Sequence, residues 1–200
     1  MSGSLGLNSR KAGESVQKWR VKQMEFAAIS YLLGRGRIPF HRCTELALYY
    51  TFYYSKISVP PLQHCHLVVS WDTLFPWPKA RYVVAEIRGR SYKTAIFSNG
   101  DSDMLHVLAK PFGDNMKHIL PAEMFDAYKP HPKVYNLPER KFLIMKAHVL
   151  QVAGSRNDAV GAGSFGIDCY WSNRDCDKLA DPTFAPKREG PGFRGALALL

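Results

Sequence analysis

Four short polar pieces of this chain have the residue types for chemistry, and they come in a fixed order. They are Ser98-Asn99-Gly100, Tyr128-Lys129-Pro130, Tyr135, and Gly154-Ser155 with Asp158. A serine hydroxyl, an asparagine amide and free backbone amides just after a strand can cradle an oxyanion or a carboxylate. The same Ser-Asn-Gly is also ordinary turn chemistry. Lys129 can neutralise a buried carboxylate or sit solvated at the surface. Asp158 precedes Ala159-Val160-Gly161-Ala162, so it can cap the helix that begins there, or orient Lys129 or a water. Taken together, the pieces present a lysine, a serine and a carboxylate to one small anionic ligand.

The elements that must position them follow from periodicity. Lys93 to Phe97 is a short apolar strand that ends at Ser98, and Asp101 to Leu108 starts a helix with Asp101 or Ser102 as its cap. Phe112 to Met124 reads as loop and helix. Pro130 and Pro132 exclude a helix interior, so Lys129 lies just ahead of the helix around Lys133 to Glu139. Val149 to Ala153 and Ile167 to Trp171 are strand-like, with a small-residue helix, Ala159 to Phe165, between them. Strands and helices therefore alternate, which predicts an α/β fold with a parallel sheet and polar groups at the carboxyl ends of its strands. Upstream, Glu14 to Leu33 and Thr44 to Tyr54 carry apolar residues at helical spacing. Trp71 to Pro78 reads as a linker. The expected division is a disordered N-terminus over 1–13, a helical domain over 14–77 and an α/β domain over 78–200.

Composition narrows the function classes. With 200 residues and 46% hydrophobic content, the chain can bury a core. Its net charge of +10 suits an acidic small substrate. No run of five Lys/Arg occurs, so the footprint of a nucleic-acid binder is missing. The four cysteines show no C-x-x-C spacing, which argues against a zinc ribbon or a disulfide framework and for a reducing, cytoplasmic setting. Neither a signal-peptide pattern nor a membrane-length apolar run is present. His64-Cys65-His66 has no distant partner cluster, so no metal site is expected.

The collinear motifs resemble the haloacid dehalogenase superfamily, and within it the type II, L-2-haloacid dehalogenase-like group. Trp19-Arg20-x-Lys22-Gln23-x-Glu25-Phe26 is similar to that group's cap-domain helix, whose arginine, here Arg20, would contact the substrate carboxylate and leaving halide. Ala95-Ile96-Phe97-Ser98-Asn99-Gly100 looks like the motif whose Ser98 and Asn99 would hold the substrate. Tyr128-Lys129-Pro130 through Tyr135 resembles the lysine motif, which implies that Lys129 neutralises a nucleophilic carboxylate and Tyr135 lines the pocket. Val152-Ala153-Gly154-Ser155-x-x-Asp158 is similar to the last acidic motif, with Ser155 and Asp158 in catalytic positions. The resemblance implies a Rossmann-like parallel-sheet core with a helical cap. It also implies hydrolysis of a short 2-haloacid to a 2-hydroxy acid through an aspartyl ester. No cofactor is implied, and a homodimer is compatible with the family. Two alternatives stand beside this one: a phosphatase of the same superfamily, which would need magnesium and an acid near Asp158 where Asn157 stands, and a non-catalytic relic that binds a small anion.

Two departures from the family pattern matter. Ala153-Gly154-Ser155 replaces the Ser-Ser-Asn that relatives often carry. The family's first strand ends in Asp-x-x-Gly-Thr-Leu-Phe, its aspartate being the nucleophile, whereas Met1 to Arg10 holds no apolar run and no aspartate. Asp72, in Trp71-Asp72-Thr73-Leu74-Phe75, is a weak substitute because the two residues and glycine before Thr-Leu-Phe are missing. The expectation is an N-terminally incomplete, impaired catalyst. Strands lie roughly 4.8 Å apart, so removing a central one leaves a gap of about 10 Å or forces its neighbours to pair anew.

Overall fold

The computed structural model of the chain describes residues 8–34 and 36–200. One compact unit ends at Leu74 and a second begins at Phe75. The first unit is helical. Its long helix α1, Ser9–Leu32, is capped by Asn8, whose side chain accepts from Lys11 N at 2.9 Å. Residues 9–13, expected to be disordered, form the first turns of this helix, and residues 1–7 of that stretch lie outside the described residues. Helix α2, Phe40–Ser55, ends at Lys56 in the left-handed conformation, which turns the chain back. Helix α3, Pro61–Val69, begins at the prolines that would otherwise read as a stop, since proline fits the first helical turn. Trp19, Ala47, Leu48, Phe52, Leu67 and Val68 pack together as the core of this unit. Because the His64-Cys65-His66 segment is helical and not extended, the three side chains fan out: His64 is buried and stacked on Tyr49 at 3.8 Å, while Cys65 and His66 are exposed.

The second unit carries the sheet. Helix α4, Ala80–Gly89, precedes β1, Ala95–Ser98, and α5, Ser102–Ala109, follows it. Asp101, one of the two expected caps, takes the N-cap of α5. It holds that position with no side-chain cap bond to the helix, and Glu123 Oε1 accepts from Ser102 N at 3.1 Å. Strand β2, His118–Pro121, lies in the stretch expected to be loop and helix, and pairs in parallel with β1 from Ala95↔His118 to Ser98↔Pro121. Two short helices, α6 (Pro132–Tyr135) and α7 (Leu137–Phe142), replace the single expected one, because Pro138 stands at the start of the second. Strand β3, Leu150–Ala153, helix α8, Arg156–Phe165, and strand β4, Asp168–Ser172, form a parallel β-α-β unit. A last strand, β5, Arg188–Gly190, adds in parallel to β4.

Every described strand pairing is parallel, in one sheet of β1 and β2 and another of β3, β4 and β5. Among the described residues β1 therefore pairs only with β2, and β3 only with β4; the two have not paired with each other. What joins them is side-chain packing. Tyr135, Ala153, Ala159, Ala162, Ile167, Cys169 and Trp171 form a buried cluster, and Phe97 of β1 packs against it. Among the described residues no helix is long and apolar enough to cross a membrane.

Candidate functional site

The site is built at the carboxyl ends of β1 and β3, where Lys129 links the two sheets. The loop that carries Lys129 is fixed by Asn99, which leaves β1 one residue after Ser98. Asn99 Oδ1 accepts from Lys129 N at 2.7 Å, and Asn99 Nδ2 donates to Lys129 O at 3.3 Å. Both ends of one side-chain amide thus hold the main chain of the lysine, and Asn99 is itself buried. Such a two-point clamp replaces the strand pairing that an irregular buried segment lacks.

From that loop the Lys129 side chain runs inward. Its Nζ donates to Phe97 O and to Asp158 Oδ1, each at 3.0 Å, and sits 3.6 Å from the centre of the Phe97 ring. The lysine side chain is 7% exposed and that of Asp158 is 18% exposed. A buried ion pair is tolerated only when its remaining donors and acceptors are satisfied. Here they are. Tyr135 Oη donates to Asp158 Oδ1 at 2.7 Å, and Gln151 Nε2 donates to Asp158 Oδ2 at 2.8 Å. Burial pulls the Lys129 ammonium below its ordinary range, and the Asp158 charge opposes that shift. Burial, then the same carboxylate, pushes the Tyr135 phenol far up, so it remains a donor. The Cys169 thiol beside them is pushed up to about 12, by burial first and the Asp158 charge second.

Local structure explains why Asp158 is available. Helix α8 is capped by Ser155, whose Oγ accepts from Asp158 N at 3.3 Å, so the capping role open to Asp158 is filled by its neighbour. Asp158 in the first turn can then turn its carboxylate to Lys129. Tyr135 reaches it because α8 has glycine at 161: a Cβ built there would lie 2.3 Å from Tyr135 Oη. Ser98 Oγ accepts from Gly100 N at 3.2 Å, which leaves its O–H able to donate.

Lys129, Asp158, Tyr135, Asn99, Ser98 and Ser155 thus belong to the second unit, and the first four are joined by direct hydrogen bonds. Arg20 and Asp72 belong to the first unit. The Arg20 guanidinium donates to Gln23 Oε1. Fully buried Gln23 passes the chain of bonds to Thr44 Oγ1 at 2.6 Å, and Thr44 Oγ1 donates to Phe40 O at 3.0 Å. Asp72 lies in a 3-10 turn, Ser70–Thr73, with its carboxylate 3.6 Å from His41 Nε2, and not at the end of a strand. Gln151, Gly161, Cys169 and the Phe97 carbonyl also take part in the site, though they belong to no polar motif. Gln151 alone carries a signal: a polar residue on the buried face of an apolar strand, two residues before Ala153. Among the described residues no three His, Cys, Asp or Glu side chains come together as a metal site.

Chemically, the arrangement is a fixed cation next to open strand ends, with an ionisable carboxylate locked to it. It can hold and neutralise an anion or a second carboxylate. Comparison with known proteins agrees with this chemistry. A family model described as haloacid dehalogenase-like hydrolase matches residues 7–166. The chain is 33% identical over 158 residues to haloacetate dehalogenase H-2 of Moraxella sp. (strain B), covering 78% of this chain and 70% of that one. It is 27% identical over 184 residues to an (S)-2-haloacid dehalogenase of Pseudomonas sp. (strain YL), covering 91% and 79%. A crystal structure of an L-2-haloacid dehalogenase superposes with a TM-score of 0.89 at 26% identity, over 94% of this chain and 86% of that one.

Proposed function

The chain belongs to the haloacid dehalogenase-like hydrolases, and we propose that its site serves the hydrolytic dehalogenation of a short (S)-2-haloacid. The observation that carries this reading is the Lys129 ammonium, bonded at 3.0 Å to both Phe97 O and Asp158 Oδ1 at the carboxyl ends of two parallel strands. A buried cation there stabilises a carboxylate nucleophile and the halide that departs. The named relatives act on haloacetate and (S)-2-haloacids, which are small anions of the size and charge such a site suits.

In this reading a carboxylate oxygen attacks C2 of the substrate and the carbon–halogen bond breaks, its electron pair leaving with the halide. Water then attacks the carbonyl carbon of the resulting ester, which releases the 2-hydroxy acid, returns the carboxylate and frees one proton. Asp158, held by three side-chain donors, is the fixed partner of Lys129 and a poor nucleophile. The reaction therefore needs a second carboxylate within reach of Lys129 Nζ. The edges of β1 and β3 that are unpaired among the described residues could each take a parallel strand that carries it. Ser98, whose O–H is able to donate, is assigned to the substrate. The site takes no metal or cofactor in this mechanism, and a homodimer is compatible with it. Halide release from (S)-2-chloropropionate, compared with a Lys129→Ala variant, tests the proposal.

A further inference from the structure

Gln151 belongs to no motif, yet its side chain is placed in the middle of the site. It is a buried residue on β3, and its Nε2 donates to Asp158 Oδ2 at 2.8 Å. The other donors to this carboxylate, Lys129 Nζ and Tyr135 Oη, both go to Oδ1. Gln151 is thus the side chain that fixes the second oxygen, and with it the rotation of the carboxyl plane. The residues after it on the strand and turn offer nothing comparable. Ala153 and Gly154 have no polar side chain, and Ser155 Oγ is engaged by Asp158 N. Gln151 and Ala153 point to the same side of β3 because side chains alternate along a strand, and Gln151 stands in register with Cys169 of β4.

We propose that Gln151 is the positioning residue of this site, holding the Asp158 carboxylate so that Lys129 keeps a fixed counter-ion at its Nζ. The proposal rests on the reading of Lys129 and Asp158 as the site, and not on turnover. Lys129 is faced by Asp158 from α8, by Tyr135 from α6, by Cys169 from β4 and by the Phe97 ring and carbonyl from β1. Of these, Asp158 is the one carboxylate, so the proton affinity of Lys129 depends on how closely it is held. With Oδ2 released, the carboxylate can swing away from the ammonium. A retreat of about 1 Å from contact, at an effective dielectric near 20, lowers the lysine's proton affinity roughly tenfold.

The test is an NMR titration of Lys129 in the full chain carrying 13C-labelled lysine, with Lys129→Met for assignment. Gln151→Met keeps the side-chain volume and removes the donor. It is expected to move the Lys129 titration down by about one pH unit. A purely structural Gln151 would leave that titration where it is, so an unshifted midpoint in a folded Gln151→Met chain overturns the proposal. If that variant does not fold, the wild-type chain decides. The Gln151 side-chain amide protons, held on Asp158 Oδ2, should exchange with solvent far more slowly than those of a free glutamine; exchange as fast as in a free glutamine refutes the contact. Neither readout depends on halide release, so a failed dehalogenase assay and a failed Gln151 experiment are distinguishable.

Discussion

Gly161→Ala should detach Tyr135 from Asp158, and the size of the effect can be worked from the packing. The added Cβ would lie 2.3 Å from Tyr135 Oη and 2.8 Å from its Cε2 and Cζ. Comfortable separation between such atoms is about 3.5 Å, so the ring must retreat by about 1 Å. The 2.7 Å bond from Tyr135 Oη to Asp158 Oδ1 then stretches past the useful range. Overpacking costs about 1–3 kcal/mol, and losing a hydrogen bond to a charged group about 1.5–3 kcal/mol. Against this, alanine gains about 1 kcal/mol over glycine in a helix interior, which leaves a net loss of about 1.5–5 kcal/mol. Gly13→Ala in α1, where an added Cβ meets nothing within 4 Å, should keep only the helix gain and stabilise slightly. Urea denaturation of both variants measures the contrast. Repeating Gly161→Ala in a Tyr135→Phe background removes the atom closest to the new Cβ and the bond at stake, so the loss should shrink. Equal losses in the two backgrounds would refute the claim that Gly161 exists to seat Tyr135.

Asn99→Ala should destabilise the chain by about 1–3 kcal/mol, because the buried Lys129 N–H loses its acceptor, while Asn99→Asp, which keeps an oxygen for the 2.7 Å bond, should lose less by the same denaturation assay. Cys169 should give stability an alkaline slope. Its thiol lies at about 12 in the folded chain against 9.0 ordinarily, so between these values the unfolded chain sheds a proton that the folded chain keeps. Stability contributed by the neutral thiol is complete below pH 9 and declines by up to about 1.4 kcal/mol per pH unit above it. The wild-type stability minus that of Cys169→Ala should therefore fall from pH 9 upward, with the opposite contribution of Lys129 common to both chains; a constant difference would contradict the burial of the thiol beside Asp158.

Much of the α/β core was legible because its central strands are short apolar runs closed by polar turns. β1, β3 and β4 all have this form, and periodicity finds them to within a residue or two. What escaped lacks that pattern. β2, His118–Pro121, starts at a histidine and ends at a proline, and its identity as a strand comes from pairing with β1. β5 is Arg188–Gly190, charged and exposed, and is a strand only because β4 offers it an edge. Helix α3 was hidden by prolines that start it as well as end what precedes. In the site, Lys129, Tyr135 and Asp158 stand in recognisable motifs. The capping of α8 by Ser155, the clamp of Asn99 on the Lys129 main chain and the Gln151 bond to Asp158 are tertiary facts. Each depends on where a loop or strand lies in space, and no local spacing encodes it.

The proposal that Lys129 and Asp158 form a dehalogenase centre is tested most directly by halide release. The measurement is made on this chain joined at its N-terminus to an apolar strand ending in aspartate, with (S)-2-chloropropionate as substrate. The account predicts release that is lost when the added aspartate becomes asparagine and lost again in Lys129→Ala. No release from a folded strand-bearing chain, or release that survives Lys129→Ala, would contradict it.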